Sequence, residues 1–286
     1  MQEMTGGRSG PFSGCSAEIG AALRLAEGEN LNQKSTCRRL DRAPPPGREM
    51  ERLVARLYDQ VHQNWINRVP FDRRPSPKNW RLVPQTELQE GNKSPEVLLE
   101  RAIGKLSHQG LLKEWVNQVP VASGLISSNS SRRAAIDLVH WRGNTATFYE
   151  LKWNSNTPLF AAFEILQYGL AFLCFHANQQ ELGPLESKLF SAQQIHLKVL
   201  APASYYAGYQ HTWLTQALCS GLKGLVAEKV AGPLEMDFEF LGLPPTFQLP
   251  FQTGKDVNEL LSGPPAAYGP LISALGAIEP VWASEA

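Results

Sequence analysis

Two neighbouring segments of the chain carry the residues best suited to chemistry. Asp137 lies inside the apolar run AAIDLVHW, and Glu150 and Lys152 lie two positions apart in TFYELKW. An aspartate in the middle of a buried strand is costly unless it is paired or binds a metal. Since strand side chains alternate between the two faces of a sheet, Glu150 and Lys152 should share one face. Two carboxylates and an ammonium group placed together suit metal-assisted chemistry on a phosphate ester.

The short connection between these segments determines how close they come. Gly143 and Asn144 separate them, and this pair is typical of a hairpin turn. A hairpin would place Asp137 near Glu150, where two carboxylates repel each other and one tends to take up a proton. Mg²⁺ removes this repulsion, and it commonly uses one or two carboxylates together with substrate phosphate oxygens. We therefore expect Asp137, Glu150 and the main-chain carbonyl of Leu151 to bind Mg²⁺, with Mn²⁺ as the alternative ion.

Lys152 adds a function that the carboxylates lack. Its ammonium group can orient an attacking water or neutralise the charge that develops on phosphoryl oxygens. A Glu-x-Lys pattern by itself is also typical of a solvated strand face. The lone Asp137 in the preceding apolar strand is what favours a site.

The surrounding pattern predicts the elements that must position these residues. A helix is predicted over residues 94–115, with Ser94 as its N-cap and Pro95 at its first position. Strands are predicted over residues 116–122, 134–141, 145–153, 195–202 and 236–243. Further helices are predicted over residues 51–66, 158–177 and 212–230. This order predicts an α/β fold with a mixed central β-sheet flanked by helices.

Both the order of elements and the charged residues resemble the PD-(D/E)xK nuclease superfamily, whose members share a restriction-endonuclease-like αβββαβ core. The resemblance covers about residues 94–205 and rests on Asp137 in the second core strand and Glu150-Leu151-Lys152 in the third. Ile136 stands where the motif's name has proline. The resemblance implies a Mg²⁺-dependent nuclease that hydrolyses phosphodiester bonds, and DNA is the expected substrate.

The same resemblance implies two further catalytic residues. Many members carry a glutamate on the first core helix that helps to hold the metal or its waters; Glu100 is the first choice here, and Glu96 is the alternative. Several branches carry a glutamine on the helix after the Glu-x-Lys strand, which matches Gln167, although Glu164 competes for that role. The exonuclease branch has a tyrosine four residues after this glutamine, where this chain has Ala171.

Contacts to nucleic acid must come from local patches, because the formal net charge of the chain is zero. The candidates are Arg132 and Arg133 before the aspartate strand, and Arg73 and Arg74 in the loop before the first core helix. In that loop basic residues alternate with aromatic residues such as Trp80, a pattern that can support base stacking. Many nucleases of this kind act as dimers on duplex DNA, so a homodimer is one expected assembly.

Composition predicts the limits of the folded part. We expect one nuclease-like α/β domain over residues 50–248 and a Pro- and Gly-rich extension over 249–286. Residues 1–49, rich in Gly, Ser, Arg and Pro, are expected to form a mostly poorly ordered tail, in which AEIGAALRLAEG is the one candidate for a short helix. The four cysteines form no CxxC pair, so a reducing cytoplasm is the simplest compartment. No uninterrupted apolar run reaches the length of about 18 residues that a membrane span needs.

Other classes of function have less support. The chain contains no Gly-rich phosphate loop and no GxSxG motif, which argues against an ATPase and a serine hydrolase. A catalytically inactive nucleic-acid-binding or scaffolding module with the same fold is the main alternative. A third possibility is an α/β domain whose charges only decorate the edge of the sheet.

Overall fold

The computed structural model describes residues 11–66, 78–121, 134–179, 187–263 and 267–282. The helices within these ranges are α1 (Cys15–Ala22), α2 (Lys34–Arg42), α3 (Gly47–Ile66), α4 (Pro95–His108), α5 (Pro158–Ala177), α6 (Thr212–Lys229), α7 (Gly254–Ser262) and α8 (Gly269–Gly276). The strands are β1 (Trp115–Pro120), β2 (Ala135–Arg142), β3 (Thr145–Leu151), β4 (Gln194–Pro202), β5 (Glu235–Leu243) and β6 (Glu279–Pro280).

The described strands form one mixed sheet in the order β1-β2-β3-β4-β5-β6. Neighbours are antiparallel from β1 to β3, parallel from β3 to β5, and antiparallel again between β5 and β6. The parallel neighbours are connected through α5 and α6, as parallel pairing requires a long crossover. The predicted α/β class, with a mixed sheet flanked by helices, is confirmed.

Helices cover both faces of the sheet. On one face α5 and α6 pack against the strands around Leu197 and Phe240, and α3 packs against both helices. On the other face α4, α7 and α8 surround Leu138 and Leu200. Gly169 lets α5 lie close to β4, because a Cβ atom there would lie 2.4 Å from the side chain of Leu197.

Both helices beside the candidate site begin with a capping residue followed by proline, and the pair at the start of α4 is the predicted one. The Ser94 hydroxyl accepts a hydrogen bond from the Val97 amide at 3.5 Å, and Pro95 opens α4. Thr157 caps α5 in the same way, before Pro158. α4 is shorter than predicted: it ends at His108, because the chain turns at Gly110, whose φ of 75° favours glycine.

Residues 11–49 depart from the prediction of a poorly ordered tail. They contain α1 and α2, and their apolar side chains are buried in the same core as α3. The buried residues of this segment include Cys15, Ile19, Leu23, Cys37 and Leu40. α1 overlaps the candidate helix in AEIGAALRLAEG, whereas α2 was not predicted; both short helices gain their stability from tertiary burial more than from local propensity.

The C-terminal residues also contribute to the fold. α7 and α8 cover part of one sheet face, where Val257 and Leu271 are fully buried. β6 pairs with β5, and Trp282 stacks edge-on against Phe240. One helix among the described residues, α5, is long and apolar enough to cross a membrane, and 78% of its most apolar window is buried inside the protein.

Candidate active site

Asp137 and Glu150 lie where strands β2 and β3 separate. The ladder between the two strands ends at the pair formed by Leu138 and Tyr149. One residue further, Oδ2 of Asp137 accepts a hydrogen bond from the main-chain amide of Leu151 at 2.9 Å. A side chain thus replaces the next rung of the ladder, and this brings the Asp137 carboxylate beside the residues that follow Tyr149.

Lys152 forms the positive centre of the site. Its Nζ donates to Oε1 of Glu150 at 2.6 Å and to Oε2 of Glu164, on α5, at 3.0 Å. Glu150 is 4% exposed and Lys152 is 7% exposed, whereas Asp137 and Glu164 are partly exposed. We call these four residues the carboxylate–lysine cluster. Burial alone would lower the pKa of Lys152, but Glu150 and Glu164 together raise it above its usual value, so the ammonium group stays charged.

Two carboxylates of the cluster, those of Asp137 and Glu150, have raised pKa values. Burial raises the pKa of Asp137 to about 6, although the Leu151 amide and Lys152 act in the opposite direction. Burial also raises the pKa of Glu150 well above its usual value, and the charges of Asp137 and Glu164 add to this effect. Three carboxylates surround one ammonium group, so the cluster favours uptake of protons or of a cation.

Glu100 approaches the cluster from α4 through two amide side chains of β1. It is 4% exposed, and its oxygens accept hydrogen bonds from Asn117 Nδ2 at 2.6 Å and from Gln118 Nε2 at 3.0 Å. The same Gln118 nitrogen lies 3.4 Å from Oδ1 of Asp137, so one amide joins the two carboxylates. Burial raises the pKa of Glu100 to about 7, although its ion pair with Arg101 lowers it.

The backbone conformation of β1 directs the side chain of Gln118 toward the carboxylates of Glu100 and Asp137. Gln118 has a φ of 51°, and it is passed over in the ladder, where its neighbours Asn117 and Val119 pair with β2. A non-glycine residue in the left-handed region costs about 1–3 kcal/mol and persists where the surroundings hold it. Asn117 and Gln118 were not among the residues predicted from the sequence. The available signal was two adjacent amide residues inside the apolar run WVNQVPV.

Glu96 has a different role from Glu100. Its Oε1 accepts hydrogen bonds from the Trp153 amide at 2.8 Å and from the Ser155 hydroxyl at 2.6 Å. It therefore holds the loop that follows β3. The charge of Glu96 still acts on the pKa of Asp137, but Glu100 is the helix glutamate that shares a hydrogen-bond donor with Asp137.

Gln167 is not brought to the cluster. Its Nε2 donates to the main-chain carbonyl of Phe163 at 2.9 Å, one turn earlier on α5. Glu164 takes the place beside Lys152 for which the sequence offered both residues. Glu164 and Gln167 lie about one turn apart on α5, so the sequence offers both as neighbours of Lys152. Only the packing of α5 in the fold decides that Glu164 is the neighbour.

Of the residues predicted to contact nucleic acid, Trp80 lies within the described ranges and the four arginines do not. Arg73, Arg74, Arg132 and Arg133 lie outside the described residues. Trp80 is fully buried and packs against core aromatic residues, with ring centroids 5.5 Å from Phe172 and 6.4 Å from Phe148. The expectation that Trp80 offers a stacking platform for bases is therefore wrong, because its ring fills the core beneath α5.

The donor set can be compared with the needs of a metal ion. Within the described ranges, no group of three or more His, Cys, Asp or Glu residues lies at metal-binding spacing. The smaller set of Asp137, Glu150 and the Leu151 carbonyl matches the one or two carboxylates that Mg²⁺ commonly uses. The raised pKa values of both carboxylates also fit, since a nearby cation would favour their charged forms.

Comparison of the chain with family models, with curated proteins and with solved structures finds no match.

Proposed function

We propose that this chain is a Mg²⁺-dependent nuclease of the PD-(D/E)xK type that hydrolyses phosphodiester bonds, with DNA as the expected substrate. The observation that carries the proposal is the meeting of Asp137, Glu150 and Lys152 at the separating ends of β2 and β3. The order α4, β1, β2, β3, α5, β4 around them supports a restriction-endonuclease-like core.

Asp137, Glu150 and the main-chain carbonyl of Leu151 are the residues that would hold the metal. A bound Mg²⁺ would supply positive charge beside the phosphoryl group under attack. Asp137 is fixed by the Leu151 amide and approached by Gln118, so its carboxylate needs little rearrangement. Its partial exposure leaves the substrate a way to reach the site.

Lys152 acts as a permanent positive charge. An ammonium group has three N–H donors, and two of them are used by Glu150 and Glu164. The third can donate to a phosphoryl oxygen or to the attacking water. Because its pKa is raised, Lys152 is unsuited to accept the proton of that water, and its contribution is electrostatic.

Glu164 and Glu100 are positioning residues in this proposal. Glu164 directs the ammonium group of Lys152 from the α5 side. Glu100 holds Gln118, which in turn approaches the carboxylate of Asp137. Both effects increase the precision with which the reacting groups are held.

A catalytically inactive nucleic-acid-binding module on the same fold is the second candidate. The observation that favours it is that Lys152 already neutralises part of the charge of Glu150 and Glu164 by direct ion pairs. In such a module the cluster would be a buried ion-pair network and would need no metal. The two candidates differ in their dependence on Mg²⁺.

Calorimetric titration of Mg²⁺ and Mn²⁺ tests the proposal. The wild type is compared with an Asp137→Ala, Glu150→Ala double variant, and both proteins are then incubated with labelled DNA and RNA. We expect metal binding and metal-dependent cleavage by the wild type, and loss of both in the double variant. Lys152→Ala is expected to lower the cleavage rate by about 10²- to 10³-fold, as removal of one preorganised charge does elsewhere.

Lys113→Ala is the matched control for Lys152, because Lys113 is exposed and precedes β1 at the opposite edge of the sheet. Its cleavage rate should equal that of the wild type. Absence of metal uptake by the wild type, even with DNA present, would refute the nuclease proposal. DNA binding that is indifferent to Mg²⁺ and to Lys152→Ala would support the binding module instead.

A further inference from the structure

Helix α2 carries a row of exposed cations. Lys34, Arg38 and Arg42 are spaced four residues apart, so they lie on one face of the helix, and all three are exposed. We call them the basic row. A groove of about 400 Å³ runs along it, lined by Ser35, Arg38, Arg39, Arg42 and Ala43.

The acidic residues near α2 are occupied by other partners. Glu29 forms an ion pair with Arg39 at 2.7 Å. Asp41 accepts hydrogen bonds from the Gln210 amide at 3.0 Å and from Trp213 Nε1 at 3.3 Å, and it also contacts the ring of His211. In the part of the chain that the structure describes, no carboxylate is paired with the basic row. The row therefore presents uncompensated positive charge to solvent.

Two hydrogen bonds and one close approach connect the segment of the basic row with the segments that carry the carboxylate–lysine cluster. The hydroxyl of Thr157, in the loop between Lys152 and α5, donates to the carbonyl of Leu31, just before α2. The Lys152 amide donates to the carbonyl of Leu200 on β4 at 3.0 Å. The loop after β4 then returns to α2, where a Cβ atom at Gly208 would lie 3.9 Å from Nη2 of Arg38.

Two tyrosines of the loop after β4 lie within electrostatic range of the cluster and of the basic row. Tyr205 OH is buried and has no hydrogen-bond partner among the described residues. Burial raises the pKa of Tyr205, and the charges of Lys152, Glu96 and its neighbour Tyr209 also act on it. Tyr209 is in turn influenced by Arg38. The loop after β4 is therefore close both to the cluster and to the basic row.

We propose that the basic row binds the phosphate backbone of the nucleic-acid substrate and leads it to the carboxylate–lysine cluster. A row of three residues spaced four apart is about 12 Å long, which corresponds to roughly three nucleotide steps of one strand. Exposed arginine and lysine side chains supply the sequence-independent, salt-dependent part of nucleic-acid binding. The inference rests on the proposed nuclease function for the identity of the bound polymer.

The test is the salt dependence of DNA binding. A labelled DNA duplex is titrated with the full chain in EDTA, which prevents cleavage, at a series of KCl concentrations, and binding is followed by fluorescence anisotropy. The variant is Lys34→Gln, Arg38→Gln, Arg42→Gln, since glutamine has nearly the helix propensity of lysine and arginine. The matched control is Lys113→Gln, Arg142→Gln, Lys223→Gln, which removes three exposed cations near the opposite edge of the sheet.

We expect the α2 variant to bind DNA about 10- to 100-fold more weakly at low salt, with a slope of log K against log salt smaller by about 2–3. The control should retain the slope of the wild type. An unchanged slope in the α2 variant would overturn the inference. If thermal unfolding shows that the triple variant is not folded, Arg38→Gln alone should reduce the slope by about 1.

Further outcomes separate this inference from the proposed function. Unlabelled DNA and polyglutamate are each added as competitors of labelled DNA. If polyglutamate displaces the labelled DNA as effectively as unlabelled DNA does, the assignment of the row to nucleic acid is overturned. Cleavage and binding by the α2 variant that equal those of the wild type would remove the inference and leave the nuclease in place. Binding through the row without any Mg²⁺-dependent cleavage would uphold the inference and remove the nuclease.

Discussion

Three carboxylates around the site are each held in place by a hydrogen-bond donor of the protein. Asp137 is bonded to the Leu151 amide, Glu150 to the Lys152 ammonium, and Glu100 to Asn117 and Gln118. These donors fix where the carboxylates lie, but they leave an excess of negative charge in a poorly solvated place. At the residue scale, the pKa values are therefore the property that a bound cation would change most.

The Glu100→Gln substitution tests how much this excess of negative charge lowers the free energy of unfolding. The pKa of Glu100 is about 7 in the folded protein, against a usual value of 4.5. Between these values the folded state binds more protons than the unfolded state, so the free energy of unfolding falls as pH rises through this window. Glutamine removes the ionisation. We expect the metal-free variant to be more stable than the wild type by about 3 kcal/mol at about pH 8, and nearly equal at about pH 4.

Urea denaturation in EDTA across this pH range measures the effect. Glu259→Gln serves as the control, because Glu259 is exposed on α7 and its replacement should change stability by less than about 0.5 kcal/mol at any pH. A loss of stability in Glu100→Gln that is the same at every pH would contradict the explanation, since it would reflect lost hydrogen bonds alone.

At the scale of elements, the contact between α4 and β1 determines whether Glu100 reaches the cluster. Gly104 allows this contact, because a Cβ atom there would lie 2.5 Å from Oδ1 of Asn117. The side chain of Asn117 also binds the main chain of Gln85 on both sides, accepting from its amide at 2.7 Å and donating to its carbonyl at 3.0 Å. Asn117 is thus held between Glu100 of α4 and the segment that contains Gln85.

Gly104→Ala should disturb this contact. We expect a loss of about 1–3 kcal/mol in the free energy of unfolding, as for other overpacked sites. A lower cleavage rate should accompany it, because Asn117 and Gln118 position Glu100 and Asp137. Chemical denaturation and cleavage assays measure both effects.

Gly224→Ala is the control for this change. Gly224 is an exposed glycine inside α6, and no atom lies within 4 Å of the place that an alanine Cβ would take. Alanine should therefore raise stability by about 0.5–1 kcal/mol there. A Gly104→Ala protein as stable as the wild type would show that α4 can shift away from β1 without cost.

At the scale of the whole molecule, the segment before α3 completes the core. Leu23 and Leu40 are each 1% exposed, and Asp41 of α2 contacts His211, which is fully buried at the start of α6. The same segment carries the basic row to the edge where β3 and β4 end. The fold thus packs residues 11–49, whose composition is typical of a disordered tail, against the part of the chain that contains the candidate active site.

A chain that begins at Met50 tests this architecture. Removal of residues 1–49 removes apolar side chains that are buried in the core, and each fully buried one contributes about 1.5–3 kcal/mol to stability. Together these contributions are comparable to the whole free energy of unfolding of a typical domain. We therefore expect the shortened chain to unfold at a much lower temperature or to remain unfolded, as measured by circular dichroism. An unchanged unfolding temperature would contradict the packing of α1 and α2.

Local patterns predicted much of the fold. Strand alternation, the Gly143-Asn144 turn and the Ser94 cap depend on nearest neighbours, so the sheet class, β3 and the start of α4 follow from short stretches of sequence. The sharing of one face by Glu150 and Lys152 follows from the same alternation. α1 overlaps the short helix considered within AEIGAALRLAEG, whereas α2 was not predicted; helices this short depend on tertiary burial, which local sequence does not show.

The sequence by itself determined which residues could act: one aspartate in an apolar strand, a Glu-x-Lys pair in the next strand, and glutamates on the helix before them. Only the tertiary structure decided which of these meet. It linked Glu100 to Asp137 through Gln118, turned Glu96 toward the loop after β3, and placed Glu164 rather than Gln167 beside Lys152. The physical reason is that side-chain type and period are local properties, whereas contact between α4, α5 and the sheet depends on how distant segments pack.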